Sequence, residues 1–215
     1  MKIEKIENNN SRCLTFFFSG WAASPVQFRH LRSDSAVWIA YDYRDLQLPP
    51  IPENYAEIHV VAWSLGVWVA SQVFRDSRLA SATAINGTPF PNHDQWGIPR
   101  AVFQGTLEKL DENNFARFCR RMCGSKTLGQ QFEVLEEGRI PELKDELAFI
   151  HRELNSRPAN ESFPWSRALI SRNDHIFPFE NLRNYWCHAA VPVEELDAPH
   201  HPFHLWSSWE ELWMR

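Results

Sequence analysis

Cysteine is scarce. Cys13, Cys119, Cys123 and Cys187 are the four in a chain of 215 residues, too few and too scattered for the disulfide framework of a small secreted domain. Cys119 and Cys123 stand one helical turn apart, yet no second matched pair accompanies them. They read as buried or half-exposed thiols rather than zinc ligands. A long hydrophobic run is missing too. The stretch from Met1 to Arg12 is polar, and Leu14 to Phe18 is only five residues of apolar chain, short of a membrane span or a signal-peptide core. A cytoplasmic protein is the expectation. Excess positive charge is lacking: the net charge is −5, with a pI near 6.0. That argues against a general nucleic-acid binder, which needs a basic footprint, although it leaves room for a local basic patch. There is no H-E-x-x-H, no internal repeat and no low-complexity tract, and no metal or cofactor is expected.

Apolar and aromatic residues are plentiful. Hydrophobic residues make up 44% of the chain, with 10 Trp and 15 Phe. Disorder is therefore excluded, and the length suits one domain with a full core and an inserted subdomain.

The chain is organised around Ile58-His59-Val60-Val61-Ala62-Trp63-Ser64-Leu65-Gly66-Val67-Trp68-Val69-Ala70. Ile58 to Ala62 reads as a buried strand. A small-x-Ser-x-Gly turn follows, then an apolar stretch long enough for a helix running to about Ser77. Strand, sharp turn and helix form the context of a nucleophile elbow, in which a strained serine points its hydroxyl away from the sheet. The helix N-terminus behind it offers amide donors to an oxyanion. Ala62 stands where the commoner pattern has glycine. A serine that merely caps a helix after a strand is the competing reading.

Strands are also expected at Lys2–Ile6, Cys13–Phe18, Ala36–Tyr41, Leu79–Ile85, Arg167–Ile170 and Val191–Leu196, with a short helix around Phe28 and Leu31. Their alternation with helices implies a mainly parallel sheet whose strand ends carry the ligand-binding loops. From about Pro91 to Pro164 the strand signals vanish. Helical spacing at Phe103–Leu110, Glu112–Met122 and Pro141–Leu154 suggests an inserted cap. Residues 1–90 and 165–215 then form an α/β core, and 91–164 the helical cap. Asn181–Cys187 and Leu205–Trp213 complete the expected helices.

Ser64, Asp174 and His200 lie on loops after strands, in the chain order of the α/β-hydrolases, which they resemble. An imidazole can take the proton of a weakly nucleophilic hydroxyl, while a carboxylate orients the ring and stabilises its charged form. His200 is preferred to His201 because His200-His201-Pro202-Phe203 resembles the H-x-P-F of many hydrolase loops. Asp174 is preferred to Asp197, which sits too close to His200 in sequence. His175, beside the acid, reads as structural. The backbone N–H groups of Leu65 and Trp21 are the expected oxyanion donors. Trp21 either walls an acyl pocket or packs in the core. Arg117, Arg120 and Arg121 follow i, i+3, i+4 and share a helix face, which is either a solvated surface or an anion site.

A closer resemblance rests on Phe18-Ser19-Gly20-Trp21, Ala62-Trp63-Ser64-Leu65-Gly66, Asn86-Gly87-Thr88-Pro89-Phe90-Pro91, Trp96-Gly97-Ile98-Pro99 and Ala198-Pro199-His200-His201-Pro202-Phe203. Spread over nearly the whole chain, these segments are similar to those of the pimeloyl-acyl-carrier-protein methyl ester esterases of biotin synthesis, in the compact BioG form. The resemblance implies an α/β-hydrolase fold and a serine carboxylesterase. Ser64 would attack the methyl ester of pimeloyl-acyl-carrier protein, and His200 would pass the proton to methanol and then activate water. The acidic, phosphopantetheine-bearing carrier would dock on Arg117, Arg120 and Arg121. The pimeloyl chain would contact Trp21 and Phe115. Neither a nucleic acid nor a membrane is an expected partner. A broad small-ester carboxylesterase and a non-catalytic acyl-binding module on the same fold are the competing readings.

Overall fold

The computed structural model describes residues 1–8, 10–135 and 138–214. These residues form one seven-stranded sheet in the order β1-β3-β2-β4-β5-β6-β7. The strands are β1 (Lys2–Ile6), β2 (Cys13–Phe18), β3 (Ala36–Tyr41), β4 (Glu57–Trp63), β5 (Leu79–Ile85), β6 (Arg167–Ser171) and β7 (Val193–Leu196). Only the edge strand β1 runs antiparallel to its neighbour. The central strands are buried on both faces, which explains why Leu14–Phe18 and Ile58–Trp63 are nearly continuous apolar runs rather than alternating ones. Because β2 to β7 are parallel, their C-terminal ends gather on one edge, and that edge receives the loops that begin at Ser19, Asp42, Ser64, Asn86, Arg172 and Asp197.

The helices are α1 (Leu65–Val73), α2 (Arg100–Glu108), α3 (Glu112–Cys123), α4 (Lys126–Leu135), α5 (Ile140–Ser156) and α6 (Phe179–His188). Helices α2 to α5 all lie between β5 and β6. Helix α3 shows why this stretch is helical. Asp111 caps its start by accepting from Asn114 N at 2.8 Å, and Gly124 ends it at φ 67°. Phe115, Phe118, Cys119, Met122 and Cys123 form its buried face, at the spacing of one helical stripe.

The structure corrects several expected boundaries. Helix α1 stops at Val73 rather than near Ser77. Phe74 turns extended, and the Arg75 guanidinium satisfies the freed carbonyls of Ser71, Gln72 and Phe74. Strand β7 starts two residues late because Val191 N bonds Trp186 O and closes α6 instead. The short helix expected near Phe28 and Leu31 is a 3₁₀ turn over Pro25–Phe28. Helix α4 has no counterpart in the sequence reading.

The largest correction is at the C-terminus. The expected helix Leu205–Trp213 is replaced by two single 3₁₀ turns, Phe203–Leu205 and Glu210–Leu212. Between them, Ser207–Trp209 runs alongside Arg32, with Arg32 N bonded to Ser207 O and Trp209 N to Arg32 O. Trp209 then packs on Phe17 and Phe28. Glu210 accepts from Ser33, Asp34 and Ser35. Tertiary pairing and aromatic burial thus override a helical pattern.

Candidate active site

Ser64 occupies the junction of β4 and α1 at φ 58°, ψ −127°, a conformation that costs a non-glycine residue about 1–3 kcal/mol. Close packing on both sides holds it there. Its N–H bonds Ile85 O at 2.9 Å, and its carbonyl accepts from Val67 N at 3.1 Å. Gly66 is required, because a Cβ there would lie 2.3 Å from Phe18 O. Gly87 is required for the same reason, since its Cβ would lie 2.3 Å from Ser64 O. Ala62, by contrast, sits inside β4 between Phe18 and Ala84 and is fully buried, so a methyl group in the first motif position is accommodated.

The structure brings Ser64, His200 and Asp174 into one hydrogen-bonded series. His200 Nε2 lies 2.9 Å from Ser64 Oγ, and His200 Nδ1 lies 2.7 Å from Asp174 Oδ2. All three residues are buried. Asp174 Oδ1 accepts from Ile176 N at 2.7 Å and Phe177 N at 2.9 Å, so one carboxylate oxygen is fixed by the chain and the other faces the imidazole. The Phe177 ring lies parallel to the His200 ring at 5.8 Å.

The backbone of His200 is held as firmly as its ring. Its carbonyl accepts from Trp63 Nε1 at 2.8 Å and from Asn86 Nδ2 at 2.9 Å. Asn86 is fully buried and sits at φ 45°, where asparagine is better tolerated than most side chains. Its side chain also accepts from Ser171 N at 2.7 Å and donates to Ser171 Oγ at 2.8 Å. One amide therefore ties the ends of β5, β6 and the histidine loop together. The sequence reading gives Asn86 no role of its own beyond its place in the Asn86–Pro91 segment of the family resemblance. An Asn-Gly pair directly after an interior strand was the available signal.

The alternative groups lie elsewhere. His201 donates its backbone N–H to Met122 O, and its ring Nε2 is buried without a hydrogen-bond partner among the described residues. Burial, with His200, His204 and His30 nearby, pushes its pKa down to about 3, so its ring is neutral. Asp197 is exposed and accepts from Asn173. His175 is exposed, at the rim of the cavity above Ser64.

That cavity is walled by Trp21, Val102, Phe118, Leu147 and Ile176, and Ser64, Leu65, His200 and Arg121 also line it. The loop after β2 passes directly over the serine: a Cβ on Gly20 would lie 3.1 Å from Ser64 Cβ. Neither the Trp21 N–H nor the Leu65 N–H has a hydrogen-bond partner among the described residues. Two amides, one on the residue after Ser64 and one on the residue after Gly20, are thus left unused by the fold among the described residues. The Trp21 indole donates to Leu143 O at 2.8 Å and meets Phe118 edge-on at 5.0 Å, so this side chain both walls the cavity and packs against α5. Phe115 is a correction. It is buried behind Trp21, with centroids 6.4 Å apart, and does not line the cavity. Phe118, one turn further along α3, takes the wall position instead.

Arg117, Arg120 and Arg121 are all exposed and line one cleft with Lys109 and Asn114. This cleft adjoins the cavity, sharing Val102, Thr106, Phe118 and Arg121 with it. Among the described residues no cluster of three or more His, Cys, Asp or Glu is arranged to hold a metal ion, and no helix is long and apolar enough to cross a membrane.

Residues 1–212 match the family model described as "Pimeloyl-ACP methyl esterase BioG". A protein of Haemophilus influenzae, described only as uncharacterized, is 37% identical over 202 residues, covering 93% of this chain and 94% of that protein. A Bacteroides fragilis protein named malonyl-[acyl-carrier protein] O-methyltransferase is 42% identical over 190 residues. The match covers 86% of this chain but only 39% of that protein's length. A crystal structure of BioG from Haemophilus influenzae superposes with a TM-score of 0.92 at 35% identity, covering 99% of this chain and 100% of that one. A bromoperoxidase from Bacillus anthracis superposes with a TM-score of 0.67 at 14% identity, covering 94% and 90% of the two chains. At that identity the likeness speaks for the fold alone, and the fold is that of the α/β-hydrolases.

Proposed function

Because the chain belongs to the BioG family of pimeloyl-ACP methyl esterases, we propose that it is a serine carboxylesterase that removes the methyl ester from pimeloyl-acyl-carrier protein in biotin synthesis. The observation that carries this reading is the series Ser64–His200–Asp174, at 2.9 and 2.7 Å, with the Trp21 and Leu65 amides unpartnered among the described residues. His200 takes the Ser64 proton as Oγ attacks the ester carbonyl, and Asp174 stabilises the imidazolium. The amides of Trp21 and Leu65 receive the oxyanion. The tetrahedral adduct collapses with loss of methoxide, which leaves as methanol with the proton from His200. His200 then takes a proton from water as its oxygen attacks the acyl-enzyme, and the second adduct breaks its bond to Ser64 Oγ, which takes the proton back from His200 as the free acid is released.

The substrate part of the proposal draws on two further observations. A methyl ester on a carrier-bound acyl group is the kind of product that an O-methyltransferase acting on an acyl-carrier protein makes, and one relative bears that name. The arginine-lined cleft lies next to the cavity, and Arg121 lines both, so in this reading a phosphate on the carrier's prosthetic arm sits in the cleft while the acyl chain reaches Ser64. In this reading residues 91–164 form the cap, Trp21 and Phe118 flank the chain, and Arg117, Arg120 and Arg121 steer the acidic carrier. Two tests apply. A serine-directed fluorophosphonate should label the wild type but not Ser64→Ala. Wild type, but not Ser64→Ala, should rescue a biotin auxotroph that lacks its methyl ester esterase. An unlabelled wild-type protein would favour a non-catalytic acyl-binding module.

A further inference from the structure

Glu146 is a buried carboxylate that the mechanism above does not use. It lies on α5, is 3% exposed, and is far in sequence from Ser64, Asp174 and His200. A carboxylate is kept in such a place only with compensating donors. Glu146 Oε1 accepts from Tyr43 N at 2.8 Å, and the nearby Ala22 backbone N–H favours its charged form. Both amides belong to strained loops at the C-terminal edge of the sheet: Ala22 has φ 63°, and Asp42, next to Tyr43, has φ 55°. Tyr43 is buried in turn, and its hydroxyl donates to Ser19 O at 2.8 Å. One turn before Glu146, Leu143 O accepts the Trp21 indole at 2.8 Å.

One face of α5 thus reaches the loop Ser19–Ala22 directly, where Leu143 O accepts the Trp21 indole, and indirectly, where Glu146 holds the Tyr43 amide and the Tyr43 hydroxyl donates to Ser19 O. Resting on the esterase reading above, we propose that Glu146 is a positioning residue, holding the loop after β2 so that the Trp21 amide completes the oxyanion hole beside Ser64. It touches neither substrate nor the reacting atoms, and acts through Ala22, Tyr43 and Ser19. A helix inserted between β5 and β6 thereby sets the geometry of a donor at the end of β2.

The proposal has a pH signature. Burial is the main cause that raises the Glu146 pKa, to about 7. Asp42 adds to the rise, while Arg139 and the Tyr43 and Ala22 amides oppose it. Asp42 is itself paired with Arg44 and Lys2, which hold it ionised with a pKa of about 2. The Tyr43 phenol and Arg44 also feel the charge on Glu146. Near neutral pH Glu146 is thus divided between its forms. The ionised form is the better acceptor for the two amides, so the grip on the loop tightens as pH rises through 7.

The test compares the wild type with Glu146→Ala and Glu146→Gln on p-nitrophenyl acetate. Wild-type hydrolysis that is lost in Ser64→Ala must be seen first, and its failure would refute the esterase reading itself. Given that activity, Glu146→Ala should lower kcat at pH 8 about tenfold or more, with KM changed less than about twofold, because loss of a whole oxyanion donor costs about 10²–10³ in kcat. Glu146→Gln keeps one acceptor oxygen for the Tyr43 amide and cannot ionise. It should retain more activity than Glu146→Ala and lose one ionisation from the acid limb of the kcat profile. A folded Glu146→Ala with kcat within twofold of wild type overturns the proposal, as does a defect confined to KM. If Glu146→Ala does not fold, Glu146→Gln decides: a wild-type pH profile in that variant overturns the proposal.

Discussion

Replacing Asn86 by alanine removes four side-chain hydrogen bonds at the buried junction of β5, β6 and the histidine loop: one from Ser171 N, one to Ser171 Oγ, one to His200 O and a longer one, 3.4 Å, to Pro199 O. The Ser171 amide loses its partner in the interior, at a cost of about 1–3 kcal/mol. The His200 carbonyl keeps the Trp63 indole, so its loss is near the lower end of about 0.5–1.5 kcal/mol. Alanine at φ 45° adds about 1–2 kcal/mol. Asn86→Ala should therefore cost about 3–5 kcal/mol, a large share of the roughly 5–15 kcal/mol that holds a domain together. Asn86→Gly relieves the backbone and should be about 1 kcal/mol less destabilising. Urea unfolding followed by tryptophan fluorescence measures both, with an unchanged m-value confirming that the compared states are the same. Because the His200 carbonyl is tethered through Asn86, the folded fraction should also show a lower kcat with little change in KM. An Asn86→Ala protein within about 1 kcal/mol of wild type, and fully active, would refute the assignment of this amide as the tie between two strand ends and the histidine loop.

Other outcomes follow from the same geometry. Asp174→Asn should lower kcat by about 10³–10⁴-fold, because an amide facing His200 Nδ1 favours the wrong ring tautomer; steady-state ester hydrolysis measures this. Charge reversal at Arg117 and Arg120, which line the cleft but not the cavity, should raise KM for a carrier-bound ester and weaken its salt dependence, while leaving turnover of p-nitrophenyl acetate unchanged. His201 carries a pKa pushed down to about 3, so the unfolded chain takes up a proton there that the folded protein refuses. Its contribution to stability is present above about pH 6.5 and is lost as the pH falls toward 3, at about 1.4 kcal/mol per unit. Urea midpoints between pH 7 and pH 5 should fall less steeply in His201→Gln than in wild type.

Much of the architecture was legible because parallel strands leave a strong mark. Runs such as Cys13–Phe18 and Ile58–Trp63 are buried on both faces, and their hydrophobicity needs no tertiary knowledge to be read. The three side chains of the candidate site were legible because each sits where a strand ends in a turn-forming segment. What escaped notice depends on contacts distant in sequence. The C-terminal Leu205–Trp213 pattern has helical spacing, but pairing with Arg32 and the burial of Trp209 against Phe17 draw it out of a helix. Phe115 and Phe118 share a buried helix face, and only packing against Trp21 decides which one reaches the cavity. Asn86 and Glu146 act through carbonyls and amides of other loops, and a lone Asn or Glu carries no periodic signal for such a role.

The central claim is most directly tested by incubating the purified protein with pimeloyl-acyl-carrier protein methyl ester and following the carrier by mass spectrometry. The account predicts conversion to the free acid with release of methanol by wild type and none by Ser64→Ala. An ester left intact by a correctly folded wild-type protein, or cleaved equally well by Ser64→Ala, would contradict it.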